Sequence, residues 1–430
     1  MKEITVDFTG VNIPNKEQEI SSYYNLVNEI NINYEKNKKS DNEMLGWLDI
    51  DKLYDSDLIN DIKNTAKEII NKSDVFVVVG IGGSYLGARG IIELFKNYFG
   101  TEKPEIIYAG NNMDGEYIEQ LINYLKNKEF CINVISKSGK TLETSIAFRS
   151  LKKLLEDKYG NEYNKRVYVT TDEKDGILNK FVECEDFKKY VIPRNVGGRY
   201  SVLTPVGLLP IAVAGIDIEE ILKGAQEAEK LYGNNDLLNN DCFKYAIIRN
   251  ILYKKNKDIE IFASFIPKFD YLLEWCKQLF GESEGKDLKG IFPTSVLYST
   301  DLHSLGQIIQ EGKRNIFETF INVVDTKNSY KMQSTSDNID GLSYLEGIEI
   351  DKINKGAFEG TLMAHIEGKV PSIVINIPEI NEYYVGMLIL FFEKACSISA
   401  KILEVNPFDQ PGVELYKSNM MTIIKKYEKS

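Results

Sequence analysis

The sequence predicts an α/β protein built on two doubly wound parallel sheets, and three observations lead there. Apolar runs at 75–79, 105–109, 130–135 and 166–170 alternate with helix-spaced segments at 85–99, 114–127 and 141–158. That is the rhythm of parallel strands joined by right-handed helical crossovers. A second series, with apolar runs at 259–265, 291–297, 316–324 and 372–377, repeats the pattern after residue 205. The 430 residues, 43% of them hydrophobic, are chain enough for two domains. No low-complexity linker separates the halves, so they are expected to pack tightly, with a boundary near 200–215, and to share a cleft.

Composition removes several classes of function. A formal charge of −12 without a basic stripe excludes nucleic acid as a partner. The five cysteines are scattered, odd in number and without C-x-x-C spacing, which predicts reduced thiols in a cytoplasmic protein. Met1-Lys-Glu-Ile-Thr-Val-Asp is not a basic region followed by an apolar run, so no secretion signal is read. The longest apolar stretches, 202–216 (broken by Pro205 and Pro210) and 384–392, are too short to span a bilayer, so no membrane partner is expected.

Residues 1–72 read as polar helices rich in Asn, Lys and Glu, with no site. The chain then enters Val75-Phe-Val-Val-Val-Gly80-Ile-Gly-Gly-Ser84, five apolar residues running into a glycine-rich turn. The run predicts a strand buried on both faces. The glycines let a ligand approach the backbone, and Ser84 adds a hydroxyl at the start of the next helix. Two phosphate motifs come close and fail. The dinucleotide fingerprint needs glycine where Tyr85 stands, and the P-loop suggested by Gly139-Lys140-Thr141 needs glycine at Val134.

A phosphate cradle of another design remains. In Ser136-Lys-Ser-Gly-Lys-Thr141-Leu-Glu-Thr144 a strand meets a helix start carrying four hydroxyls, those of Ser136, Ser138, Thr141 and Thr144. One cap needs one hydroxyl; four suit the terminal oxygens of a phosphate monoester. Lys137 and Lys140 add positive charge.

Further along, Gly197-Gly198-Arg199 presents a permanent cation on a close-approaching backbone, suited either to a developing oxyanion or to a surface ion pair. Gln278 and Glu282 lie four apart on one helix face if the helix beginning near 272 extends that far. Taken alone, Glu282 reads as a solvated acid; in a cleft it would serve as a general base. Of the two histidines, His303 opens a helical stretch after a strand with Asp301 nearby, a place for proton transfer, whereas His365 is mid-helix and reads as structural. They are too far apart, with no Cys or Asp cluster, for a zinc site, and no metal is expected. Residues 333–340 read as a surface loop. Asn406-Pro-Phe-Asp-Gln410-Pro-Gly-Val-Glu414 turns into a final helix where Lys417 can pair with Glu414.

Taken in order, Gly80-Ile-Gly-Gly-Ser-Tyr-Leu-Gly-Ala-Arg89, Ser136-Lys-Ser-Gly, Gly197-Gly-Arg-Tyr-Ser201, Gly281-Glu-Ser-Glu-Gly-Lys286, Asp301-Leu-His303 and Phe408-Asp-Gln-Pro-Gly-Val-Glu-Leu415 closely resemble the phosphoglucose isomerase family. The resemblance implies two sugar-isomerase (SIS) sandwiches packed together with peripheral helices: a smaller one over 66–205 with the cradle, and a larger one from 1–65 and 206–430 with a C-terminal helical tail. It implies reversible conversion of glucose 6-phosphate to fructose 6-phosphate through a cis-enediol, without cofactor or metal. By position, Glu282 would shuttle the proton between C2 and C1, Arg199 would stabilise the enediolate, and His303 and Lys417 would assist at the ring oxygen. Ser84, Ser136, Lys137, Ser138, Thr141 and Thr144 would hold the phosphate, and Gln278 and Gln410 the sugar. The family implies a homodimer in which His303 crosses to the partner's site, so that a monomer is inactive. Where the family continues the phosphate turn with successive threonines, this chain has Lys140-Thr141-Leu142; Thr141 and Thr144 remain. A non-catalytic sugar-phosphate sensor would need the cradle but not Glu282, Arg199 or His303.

Overall fold

The structure, a computed structural model, describes residues 3–100, 102–236, 239–326 and 329–427. Among the described residues ten strands, β1 (Thr5–Asp7), β2 (Val75–Val79), β3 (Glu105–Ala109), β4 (Phe130–Ile135), β5 (Val167–Asp172), β6 (Lys188–Ile192), β7 (Ile259–Ser264), β8 (Phe292–Leu297), β9 (Ile316–Val323) and β10 (Ser372–Ile377), form two five-stranded sheets. The first runs β3-β2-β4-β5-β6, parallel throughout. The second runs β1-β10-β9-β7-β8 and is parallel except for β1, which pairs antiparallel with β10. Both sheets wind outward from their first parallel strand, β2 or β7, so the direction reverses between β2 and β4 and again between β7 and β9. In such sheets ligands bind beyond the carboxyl ends of the strands flanking the reversal. The glycine turn after β2 and the hydroxyl-rich turn after β4 flank the first.

The apolar runs produced the central strands: every residue of β2 and β4 is buried, the polar Asn133 of β4 included. Two strands went unread. β6 (Lys-Lys-Tyr-Val-Ile) is an edge strand with Lys188 and Val191 exposed, so its apolar run is only three residues long. The three-residue β1 lies inside the segment read as all helical; it is held by backbone pairing to β10. The helix after the glycine turn is shorter than its apolar spacing suggests, Leu86–Phe95, and leaves Tyr98 and Phe99 exposed. The tract at 333–340 is exposed, as read.

The apolar stretch broken by prolines is a buried helix, Pro205–Val213, opened by Pro205 and capped by the Thr204 hydroxyl. Helix Glu382–Ile402 is buried along nearly its whole length, and its backbone meets that of helix Ile218–Gly233 at two glycines. A Cβ on Gly386 would lie 1.9 Å from the Ile221 carbonyl oxygen, and one on Gly224 1.8 Å from that of Tyr383. Among the described residues, no helix is long and apolar enough to cross a membrane, and all five cysteines are free thiols.

A buried ionic cluster fixes the end of helix Asp270–Glu284, the crossover from β7 to β8. The Arg249 guanidinium sits between Glu260 on β7, at 2.6 Å, and Glu284, at 2.5 Å, all three without solvent exposure. Tyr245 and Thr319 donate the remaining hydrogen bonds to Glu260. The carboxyl end of that helix is thereby tied to the sheet two residues after Glu282. His365 is buried in the last turn of helix Ile350–Glu367, later in its helix than the sequence suggested, and is bonded through Nδ1 to Glu318 at 2.7 Å, a structural role as read.

Candidate active site

A cleft of about 870 Å³ runs between the two halves. One end is the turn after β4. The helix Leu142–Tyr159 starts there without a side-chain cap from Thr141, which leaves its first amides for an anion. The Ser136 hydroxyl accepts from the Gly139 amide at 3.0 Å and lies 3.5 Å from the Thr141 hydroxyl. Ser138 accepts from the Lys140 amide. The Thr144 hydroxyl is buried and has no hydrogen-bond partner among the described residues. Ser84 faces this group from the glycine turn. Lys137 differs from the others. Its ammonium donates to the carbonyls of Arg194 (2.8 Å) and Val196 (3.0 Å), so it ties the phosphate turn to the loop that leads from β6 into Arg199. Burial, with Arg194 adding to it, holds its pKa below that of an ordinary lysine.

At the other end Arg199 is buried and fully engaged. Nε donates to Ser283 Oγ (2.8 Å), Nη1 to Glu282 Oε2 (3.2 Å) and Gln410 Oε1 (3.1 Å), and Nη2 to the carbonyls of Pro407 (2.5 Å) and Asp409 (3.0 Å). The helix extends far enough to place Gln278 beside Glu282, whose Oε1 accepts from Gln278 Nε2 at 3.2 Å. Glu282 is therefore no solvated surface acid. It is partly buried, with a donor on each oxygen, and the arginine's pair is this cleft carboxylate. Lys417 lines the cleft from the last helix and bonds Glu414 at 2.9 Å.

The two glycine turns are in contact. A Cβ on Gly83 would lie 2.2 Å from the carbonyl carbon of Gly198, so these turns close on each other only because Gly83 carries no side chain, whereas a Cβ on Gly198 would point into open space. Gly83→Ala is expected to force the turns apart and lower stability by about 1 to 3 kcal/mol. Thermal unfolding of the variant against the parent checks this.

His303 stands apart from these groups. It ends the short turn Thr300–His303 after β8, is exposed, and does not line the cleft. The nearby Asp301 accepts from the Leu297 amide and Ser304 hydroxyl, holding its own turn and not the imidazole. Four residues that support the site were not singled out from the sequence. Ser283 and Tyr200 share a hydrogen bond beneath Arg199, and Trp275 Nε1 donates to the Arg199 carbonyl. Lys286 donates to the carbonyls of Ser283 and Asn406 and pairs with Asp409 at 3.3 Å. Burial, then the adjacent Arg199 charge, holds the Lys286 pKa below its ordinary value. Tyr200, Ser283 and Lys286 all stand inside quoted motifs, so the signal was present without a role attached.

Twin doubly wound sandwiches with a helix-start anion cradle opening on an arginine-carboxylate pair define a protein of the sugar-isomerase type. The comparisons with known proteins are more particular. A model of the family described as phosphoglucose isomerase matches residues 59–430. Glucose-6-phosphate isomerase of Fusobacterium nucleatum is 50% identical over 99% of this chain and 96% of its own length. That of Alkaliphilus metalliredigens is 52% identical over 90% and 87%. Among solved structures, a hypothetical protein of Thermus thermophilus superposes with a TM-score of 0.91 at 27% identity, covering 98% of this chain and all of its own. A glucose-6-phosphate isomerase of Chlamydia trachomatis shares the fold, with a TM-score of 0.80 at 16% identity over 99% of this chain and 89% of its own. The chain belongs to the phosphoglucose isomerase family.

Proposed function

We propose that this protein is an aldose-ketose isomerase interconverting glucose 6-phosphate and fructose 6-phosphate, with Glu282 as the base. The observation that carries the assignment is the meeting, in one cleft, of the Arg199-Glu282 pair and the hydroxyl-lined helix start. A sensor would need only the latter, so the pair and the family membership favour an enzyme. The phosphate is held by the hydroxyls of Ser84, Ser136, Ser138, Thr141 and Thr144 together with the first amides of helix Leu142–Tyr159; Lys137 supports this turn from behind. Gln278 and Gln410 orient the sugar.

In the open-chain aldose, the Glu282 carboxylate takes the C2 proton, and the electron pair shifts to make the C1-C2 double bond and a negative oxygen on C1. The Arg199 charge lies against this enediolate. Glu282 then returns its proton to C1, while the hydroxyl proton passes from the C2 oxygen to the C1 oxygen, leaving the ketose. His303 and Lys417 serve ring opening. Because His303 is exposed and outside its own chain's cleft, we take it to act in the cleft of a second copy, so the working unit is a homodimer. Free cysteines support placement in the reducing cytoplasm. The pairing of β1 with β10 supports grouping 1–65 with 206–430 as one domain, beside a smaller one over 66–205.

A coupled assay with glucose 6-phosphate, run alongside proton NMR in deuterated water, tests the reading. Turnover with exchange of the sugar's C2 hydrogen is expected, and absence of both overturns it. Thr144→Val, which keeps the shape and removes the buried hydroxyl, is expected to raise KM for glucose 6-phosphate about five- to tenfold with kcat unchanged. Steady-state kinetics of that variant decides whether Thr144 belongs to the cradle.

A further inference from the structure

A second cavity, of about 580 Å³, lies behind the phosphate turn, within the size range of small-molecule sites. It opens between helices Leu142–Tyr159 and Ile177–Glu185. Its floor is apolar. Val134, Phe148 and Leu178 are buried there, and the rings of Phe148 and Phe181 meet edge to face with centroids 5.4 Å apart. Its rim is cationic. Lys152 and Lys153 are taken up by Glu156, Glu185 and Asp157, but Arg149 is exposed and without a hydrogen-bond or ion-pair partner among the described residues. An apolar floor beneath a free guanidinium suits an organic anion, whose body sheds water against the rings while its charged group takes the two-pronged N–H fork.

This cavity shares a wall with the cleft, since Ser136 and Thr144 line both. Gly139, on the cavity side, sits so close to the second helix that a Cβ on it would lie 2.8 Å from the Leu178 amide nitrogen. A group lodged between the helices therefore bears on the phosphate turn itself. We propose that the cavity is a second ligand site for a small organic anion with an aromatic body, and that its occupancy weakens binding of the substrate's phosphate across the shared wall. The second clause rests on the reading of the cleft given above. Two anions on either side of one wall repel, and the coupling is reciprocal.

The test uses the whole protein and 8-anilinonaphthalene-1-sulfonate as the probe, followed by its fluorescence. Saturable binding is expected, weakened about tenfold by Arg149→Glu and by Ile177→Trp, which fills the cavity from its partly exposed edge, and kept within about threefold by Arg149→Lys. Saturating probe is expected to raise KM for glucose 6-phosphate about threefold in the parent, with kcat unchanged and no effect in Arg149→Glu; glucose 6-phosphate should weaken the probe by the same factor. Failure of the parent to bind the probe overturns the site. So does binding that ignores Arg149→Glu and Ile177→Trp and is abolished by glucose 6-phosphate, which places the probe in the cleft. Binding as expected without a KM effect overturns the coupling. A protein that binds the probe as expected yet shows no turnover overturns the isomerase reading and leaves the second site standing.

Discussion

Glu282→Gln is expected to lower kcat about a thousandfold, the scale of a lost general base, and to abolish exchange of the C2 hydrogen, with KM for glucose 6-phosphate within about threefold of the parent. The surroundings of the side chain make this a clean substitution. Glu282 accepts one hydrogen bond from Arg199 and one from Gln278. In the variant, the new amide oxygen can still accept from Arg199, and its NH2 turns toward Gln278. There a clash of donors is avoided if the Gln278 amide flips, because the Gln278 Oε1 atom, buried and without a partner, becomes the acceptor. Stability should then stay within about 1 kcal/mol of the parent, so lost turnover reports on the proton and not on the fold. Turnover by the coupled assay, exchange by NMR and thermal unfolding are the three measurements. Full activity in the variant removes Glu282 from the role of base.

The fold was legible where short, mostly apolar runs alternated with helix-spaced segments. β2, β3, β4 and β10 begin and end where the runs do. It was not legible at β6, an edge strand that opens on two lysines and so carries only a three-residue apolar run, or at β1, whose existence depends on a partner over 360 residues away in the chain. The site divides the same way. The hydroxyls from Ser136 to Thr144 and the Gln278-Glu282 spacing are local facts of helix geometry, so sequence could group each set. That Arg199 pairs with Glu282, 83 residues on, and with Gln410, 211 residues on, is set by the packing of two sheets. Residue chemistry left a surface ion pair and an oxyanion partner equally open for Arg199; only the fold places its partner within a cleft. Lys137 shows the converse. Its neighbours in sequence group it with the phosphate hydroxyls, and it lines the same cleft, but that its ammonium also reaches two carbonyls nearly sixty residues on is a fact of packing.

Arg199→Lys retains the charge and isolates the geometry. All five guanidinium N–H donors are directed at protein acceptors on two segments: Glu282 and Ser283 on the helix, and the carbonyls of Pro407 and Asp409 with the Gln410 amide on the loop before the last helix. A lysine ammonium carries three donors at one point and cannot span both. The variant is expected to lose about 10²-fold in kcat, because the positive field no longer lies fixed against the reacting oxygens. It is also expected to lose about 1 to 3 kcal/mol of stability, because the buried Pro407 carbonyl and the partly buried Asp409 carbonyl lose their donors. A merely structural arginine would give the second effect alone. Lys286→Gln separates the two, since Lys286 anchors the same loop through the Asn406 carbonyl and Asp409 without touching Glu282. That variant should share the stability loss and a raised KM, through a loosened Gln410, while kcat stays within a few-fold of the parent. If Arg199→Lys and Lys286→Gln lower kcat equally, the arginine acts by holding the loop, and its electrostatic role is withdrawn.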